Sequence, residues 1–504
     1  MPNLGAFKHG VSWRDVPTSV ISPVEAIPGV NVVFGSAPLH LVQNGKDAAN
    51  KPNLFNRYED AVAALGFSKD WAKYDICEHM DALFVEFGMY PVVYVPVNDP
   101  EAGATTITPL TLTLVNGQVD TDKELLRWTI VVKDQTGATT YVEGTDYVLS
   151  LSAAGTWVIT RIAGGDIPAD NSQIQVDGKA PSATPITVAD VIGGIDSGTG
   201  ARTGLEVIED VFQQTGLVPG VIICPAFSSD PTVAAVMEAK SENINGCFAC
   251  TCLIDVDTDA AANPTAAVEW KNDNNISFAR QQCLYGKPAL VSNDGSKKIF
   301  NFASQQGPLV QWTDTYRGGG IPYHSPSNKN LRMNALLNST DGSTAAELPM
   351  HLLDANYMNS QGIVTALNFI GGWRSWGNRT AAYPANTDVK DMFIPVRRMF
   401  DYIGNTIVLT IWQKVDEPGN RRLIDAIVNS LQLWLDGMAA TDALLGARVE
   451  FRHDENPTTE LLNGHFTFHI YIAVPTPAEW IDFRIEYWLP FVDTLFPESA
   501  EAAA

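Results

Sequence analysis

The chain is predicted to combine α/β and α+β architecture: a central α/β sheet unit, a small antiparallel β-domain inserted into it, and a C-terminal α+β domain carrying terminal arms. Three observations predict this. Strand and helix patterns alternate over 29–100 and again over 181–359. Residues 101–180 are rich in Thr, Gly, Asp and Val and hold no helical stretch of any length. Two long apolar stripes at helical spacing, followed by strands, fill 360–488. With 504 residues, 45% of them hydrophobic and 18% charged, the chain is long and apolar enough to bury several cores.

Residues 1–28 carry Pro2, Pro17, Pro23 and Pro28 and no helical period, so they read as an extended arm. Phe7, Val11 and Trp13 are its candidates for a strand lent to another subunit, against the plainer reading of a frayed terminus. The α/β unit begins with a strand at 30–34. A helix at 57–65 is closed by Gly66, a longer one at 71–87 by Gly88, and a buried strand follows at 92–97. Within the insertion, short strands are expected at 128–133, 138–143, 147–151 and 156–162, separated by turns at 134–137 and 153–155. Helices at 205–214, 231–241 and 276–284 then lead to strands at 220–224, 247–256 and 289–292. Three such repeats predict a largely parallel sheet covered by helices. Gly318, Gly319, Gly320, Pro322 and Pro326 mark 313–330 as a long loop.

In the last unit, a helix at 393–412 places Val396, Phe400, Ile403, Ile407 and Ile411 on one face. A second helix, opened by Pro418, aligns Leu423, Ile427, Leu431, Trp434, Leu435 and Met438. Both stripes read mainly as intrachain core. Strands are expected at 448–452, 465–474 and 481–487, and 489–504 is left as a tail. In the last strand Ile481, Phe483, Ile485 and Tyr487 alternate with Asp482, Arg484 and Glu486, the pattern of a half-buried strand. Near a chain end, such a strand can join its own sheet or a neighbour's.

Acidic residues outnumber basic ones 57 to 33, a formal charge of -24. Phosphate binding needs a basic face, so a nucleic-acid partner is not expected. No apolar run is long enough for a membrane-spanning helix, so no direct membrane insertion is expected. Residues 1–13 lack the apolar core of a signal peptide, which points to synthesis in a cytosol. Six cysteines do not make a disulfide framework; Cys247, Cys250 and Cys252 read as part of a buried strand rather than a metal site.

No G-x-S-x-G, Walker A or H-E-x-x-H sequence occurs. The glycines of 198–204 lack the spacing of a phosphate-binding loop. Asp255, Asp257 and Asp259 start like a calcium loop, but Ala260 and Ala266 stand where Gly and Glu are needed. On a strand His465 and His469 lie about 13 Å apart, too far to share one ion. No catalytic residue, cofactor site or metal ligand is therefore identified. Arg397-Arg398 and Arg421-Arg422 are the distinctive basic pairs. They read first as helix-surface salt bridges and, more sharply, as a docking contact for an acidic partner.

An ordered set of motifs runs through 360–488. It comprises Gly371-Gly372-Trp373-Arg374-Ser375-Trp376-Gly377-Asn378-Arg379-Thr380, Val396-Arg397-Arg398-Met399-Phe400-Asp401-Tyr402-Ile403, Glu417-Pro418-Gly419-Asn420, Leu444-Leu445-Gly446, Asn456-Pro457-Thr458-Thr459 and Pro475-Thr476-Pro477-Ala478-Glu479. In order and spacing this set resembles the tail sheath proteins of contractile bacteriophage tails and related contractile injection systems. The likeness extends more weakly to 28–37 and 204–226, and Asp442 stands where that family has Gly.

The resemblance implies a structural subunit, not an enzyme, working without a cofactor. Such subunits form a helical homo-oligomer of hexameric rings around an inner tail tube protein, with baseplate and tail terminator proteins at the ends. Contraction drives the tube through a target envelope. Terminal arms add strands to a third subunit's C-terminal sheet. Ile481, Phe483, Ile485 and Tyr487 would then serve as arm residues alongside Phe7, Val11 and Trp13. The C-terminal unit would lie nearest the tube, with Arg397, Arg398, Arg421 and Arg422 as tube contacts, and the insertion at 101–180 would face outward. Assembly would take place in the bacterial host cytoplasm, giving a virion tail or an injection particle. Two other readings compete. A soluble α/β enzyme would need a polar pocket with a titratable pair at the strand C-terminal ends. A surface or adhesive protein, suggested by the β-insertion, would need a secretion route.

Overall fold

The computed structural model describes residues 22–152, 154–168 and 172–495. Eight strands make the central sheet: β1 (Asn31–Gly35), β2 (Asn53–Phe55), β3 (Val92–Pro96), β4 (Val221–Ile223), β5 (Thr251–Asp255), β6 (Gln281–Tyr285), β7 (Ile363–Asn368) and β8 (Trp373–Trp376). Their spatial order is β2-β3-β1-β4-β5-β6-β7-β8. β3, β1, β4, β5, β6 and β7 are parallel, while β2 and β8 pair antiparallel at the two edges. Every residue of β1, β3 and β4 is buried, which is why these strands read as unbroken apolar runs rather than alternations.

Several elements differ from expectation. The segment 276–284 is not a helix. The helix lies earlier, at Pro264–Asp273, where the Asn263 side chain accepts from the Ala266 amide and Pro264 takes the first turn. Residues 281–285 are β6, buried on both faces, and a short buried run does not reveal its period. β7 and β8 complete the central sheet, so 363–376 belongs to that sheet rather than to a separate C-terminal unit. The strand expected near 289 is Lys287–Val291, and it sits in a separate antiparallel sheet with Lys297–Ile299 and Ala335–Leu337. The strand through the cysteines starts only at Thr251; Cys247 is exposed, whereas Cys250 and Cys252 are buried. The long helix at 71–87 is Asp75–Met80 followed by wider π-type turns at Asp81–Phe87, ended by Gly88 at φ 64°.

The insertion folds around its own core of Leu114, Leu125, Val132, Trp157, Ile159 and Ile174. Leu110–Thr113, Gln173–Asp177 and Val131–Asp134 form one antiparallel sheet, and Gln118–Asp120, Trp157–Arg161 and Tyr147–Leu151 another. Residues 138–143 make an isolated bridge, Lys133 to Thr140, in place of the expected strand.

The element that orders this body is a helix with no amphipathic pattern to announce it. Helix α1 (Phe302–Tyr316) crosses β1, β4, β5 and β6 and is buried along most of its length. Gly307 allows the close approach: a Cβ there would come within 2.3 Å of Asn31 Oδ1 and 2.4 Å of Ile223 Cδ1. Two glutamines of α1 are tied into the body. Asn31 Nδ2 donates to Gln311 Oε1 at 2.8 Å, Gln311 Nε2 to the Pro91 carbonyl at 2.9 Å, and Ser375 Oγ to Gln306 Oε1 at 2.9 Å.

Two buried carboxylates receive the amide end of α1. Glu78 accepts from the Asn301 amide at 2.5 Å and from Asn301 Nδ2 at 2.9 Å, and Asp255 accepts from the Ala303 amide at 3.1 Å. Helix N-terminal amides lack intrahelical acceptors and carry partial positive charge, so this is where an anion is best placed. Burial nevertheless dominates. It pushes the Glu78 carboxyl up to about 8, against the hydrogen bonds from Asn301 and the nearby Lys287 ammonium. Asp255 is raised by the same cause.

Glu78 therefore keeps a proton in the fold that it has lost in the unfolded chain above its ordinary 4.5. The fold then binds the extra proton, so stability falls as pH rises from about 4.5 to about 8. Asp75, raised to about 7 by burial, acts in the same direction over a lower window. Thermal denaturation at about pH 6 and about pH 8.5 should show the chain less stable at the higher pH. Glu78→Gln should remove on the order of 1–2 kcal/mol of that difference. Parallel pH profiles for the two proteins would refute this account.

Candidate assembly surfaces

The C-terminal unit is built on two helices. In α2 (Ile394–Ile411) Pro395 occupies the first turn, and Val396, Met399, Tyr402 and Ile403 are buried. In α3 (Arg421–Ala440) the Asn420 side chain accepts from the Leu423 amide at 3.0 Å. Its predicted stripe is largely inside: Ile427, Leu431, Trp434, Leu435 and Met438 are all buried. α3 packs on a hairpin of β9 (Gly446–Glu450) and β10 (His469–Ala473), which pair antiparallel from Gly446–Ala473 to Glu450–His469. Gln432 of α3 reaches the β9 backbone, donating to the Ala447 carbonyl at 3.1 Å and accepting from the Val449 amide at 2.8 Å. Among the described residues this sheet has two strands, and no third pairs with β10.

The first described residues run along α2. The Val24 amide donates to Thr410 Oγ1 at 2.9 Å and the Ala26 amide to Thr406 Oγ1 at 3.2 Å, while Trp434 Nε1 donates to the Glu25 carboxylate at 3.1 Å. The chain thus enters the molecule beside the same two helices that support the hairpin. Phe7, Val11 and Trp13 lie outside the described residues.

The other end leaves from β10. Residues 481–487 form no strand, contrary to expectation, and their apolar side chains are exposed: Ile481 67%, Phe483 81%, Ile485 96% and Tyr487 77%. The alternation is real, but among the described residues no strand pairs with it. One anchor precedes this stretch. Arg379 grips Glu479 with two hydrogen bonds, Nε–Oε1 at 3.0 Å and Nη2–Oε2 at 2.5 Å, its guanidinium lying over the Phe393 and Tyr383 rings. This pair spans a hundred residues of sequence and left no local signal to find it.

The two arginine pairs separate. Arg397 and Arg398 are buried, which removes them as tube contacts. Arg398 binds Asp314 near the end of α1 through two nitrogens, one of them 2.9 Å from Oδ1, and both side chains are almost wholly enclosed. Arg397 bonds Asp391 at 3.2 Å and Asp401 at 2.8 Å, and Asp401 also accepts from Arg280 at 3.1 Å. The central body packs on that side of α2 and turns both cations inward. Arg421 and Arg422 remain exposed, on the first turn of α3.

A hollow at the strand C-terminal ends measures about 70 Å³ and is lined by Ser36, His40, Lys73 and Tyr74 under the returning 181–186 segment. Its polar groups are engaged in the turn after β1: Asp75 accepts from the Ser36 amide at 2.5 Å, and Ser36 Oγ lies 2.7 Å from the Lys73 carbonyl. Burial drives the His40 imidazole down to about 4, so it is neutral at pH 7. These groups hold a turn together.

No family model matches the chain. Over 499 residues, 97% of this chain and 98% of the relative, it is 28% identical to a tail sheath protein of Burkholderia phage BcepMu. Its fold is similar to that of a chain in the contracted sheath complex of the extracellular contractile injection system PVC. The TM-score there is 0.54 at 12% identity, covering 96% of this chain and 99% of that one. It is also similar to a chain of the contracted helical sheath of the anti-feeding prophage, with TM-score 0.54 at 14% identity and coverage of 95% and 98%.

Removing one partner of a buried ion pair strands the other charge without water. Asp314→Ala should therefore cost about 3–5 kcal/mol of stability, and Arg422→Ala within about 0.5 kcal/mol of nothing. Urea denaturation followed by tryptophan fluorescence measures both. Similar midpoints for the two variants would show that the Arg398–Asp314 pair does not hold the units together.

Proposed function

We propose that this homologue of phage tail sheath proteins is the structural subunit of a contractile tail sheath, assembling with copies of itself around an inner tube. The observation that carries the reading is a mismatch within one chain. Among the described residues, the segment 481–487 has a strand's alternation and no sheet, and the β9–β10 hairpin has a supporting helix and no third strand. A donor and an acceptor on the same chain favour assembly between copies, in which one molecule's segment completes another's edge. Likeness to a phage tail sheath protein along nearly the whole chain, and to sheath chains in fold, supports the same reading.

In this reading the subunits stack as hexameric rings, made in the bacterial host cytoplasm and carried in a phage tail or injection particle. Baseplate and tail terminator proteins meet the ends of the cylinder, and the inner tube protein meets the C-terminal units. The insertion at 101–180 faces outward. Main-chain hydrogen bonds in the added strands supply affinity, and the side chains of Ile481, Phe483, Ile485 and Tyr487 supply register. Several arms per subunit keep the lattice connected while any one contact changes. Contraction then draws on a difference in buried area and charge pairing between two packings of the bodies, with the arms engaged in both.

Negative-stain electron microscopy of the purified chain over a concentration series should show hollow, helically striated cylinders. A chain ending at residue 479 should unfold within about 0.5 kcal/mol of the full chain, since residues 480–491 are exposed, yet form no cylinders. Cylinders from the shortened chain would refute strand donation by the C-terminal arm. Compact monomers from the full chain at every concentration would refute the sheath reading itself.

A further inference from the structure

A groove of about 480 Å³ opens at the start of α3. Its apolar wall is Ile424 of α3, Phe451 just after β9, Leu461 of the short helix Thr458–Leu462, and Phe466 ahead of β10. The wall is built rather than incidental. Phe451 packs on Phe466 and Phe468, and the Phe466 ring lies so close to Gly419 that a Cβ there would come within 2.3 Å of it. Arg421 forms part of the rim, and Arg422 follows it on the same turn.

These two cations are badly placed for the chain alone. Backbone amides at a helix N-terminus already carry partial positive charge, so basic side chains are disfavoured there. Asp425 offers only a long contact, 3.6 Å from Arg421 Nε, and the Arg421 side chain remains 92% exposed. The edge carries the two arginines beside Asp425, and the base is apolar. It fits a segment that is acidic and apolar together.

We propose that the groove receives residues 488–501 of a second copy of this chain. By sequence this segment combines Trp488, Leu489 and Leu495 with Asp493, Glu498 and Glu501, and 488–504 contains no Lys or Arg. Within its own chain Leu489–Leu495 forms a short 3-10 helix in which Leu489 is 72% and Leu495 78% exposed. The inference rests on strand addition at the β9–β10 hairpin, and the groove lies at one end of that hairpin. Nine extended residues, 480–488, span about 30 Å, whereas a five-residue strand spans about 17 Å. Laid antiparallel to β10, a donated strand therefore overruns the hairpin at its Glu450–His469 end, and the residues after 488 arrive at the groove.

A fluorescein-labelled peptide of residues 488–501, titrated by anisotropy with full-length chain below its assembly concentration, tests the groove without requiring cylinders. Saturable binding is expected, weakened about tenfold or more by Arg421→Glu with Arg422→Glu, and unchanged by Arg379→Ala at the other anchor. No binding, or equal binding to the charge-reversed chain, overturns the proposal. In assembled cylinders, a benzophenone amino acid at position 461 should capture 488–501 of a neighbour. Capture of the inner tube protein or of residues 1–21 instead overturns it. Absence of cylinders counts against the sheath reading, while the peptide titration still decides the groove.

Discussion

Everything in this molecule leans on a helix that water hardly touches. α1 lies across four parallel strands, with two carboxylates at its amide end and, near its other end, a carboxylate bound to α2. A helix buried this thoroughly cannot leave its terminal amides and carbonyls to solvent, so the surrounding body must answer them. Glu78 comes from the helix beside β1, Asp255 from the end of β5, and Arg398 from the C-terminal unit. One element therefore fixes three parts of the chain that are far apart in sequence. The same geometry makes one continuous core of the sheet and the two C-terminal helices.

Much of the architecture was legible because its local signals agreed. The apolar run of β1, the Gly66 and Gly88 stops, and the stripes of α2 and α3 each had one consistent explanation. The failures share a cause. Gly307 and Pro308 argue against a helix at 302–316 and the buried glutamines break up any apolar stripe, so only close packing against the sheet makes a helix favourable there. β6 hides its period because both faces are covered, although Asn263-Pro264 did mark the true helix start upstream. Arg397 and Arg398 read as surface charges because the sequence does not show which face of α2 another unit covers. The tail is the opposite case: its strand pattern was visible, and among the described residues no strand pairs with it.

The division between body and tail has a physical logic. In the body, polar groups are paired in low-dielectric surroundings, where breaking any pair is costly and alternative arrangements are few. In the proposed strand addition by the tail, affinity would reside in backbone groups and in side chains spaced two residues apart, and neither needs the bodies to hold a fixed mutual orientation. A lattice whose joints differ from its blocks in this way can change shape without unfolding its parts. The Arg379–Glu479 grip marks the place where one regime gives way to the other.

The formal charge of -24 acquires a meaning once the tail is considered. A subunit that displays Trp480, Phe483, Ile485 and Tyr487 to solvent is adhesive towards any apolar surface it meets. Like charge on every copy opposes chance collisions at separations up to the Debye length, about 8–10 Å at physiological ionic strength. Strand pairing acts only at contact. Random encounters are thus repelled before the sticky side chains touch, whereas a copy held against a growing edge has already crossed that distance. Elongation is favoured over the birth of new particles, and added salt, by shortening the screening distance, erodes that preference.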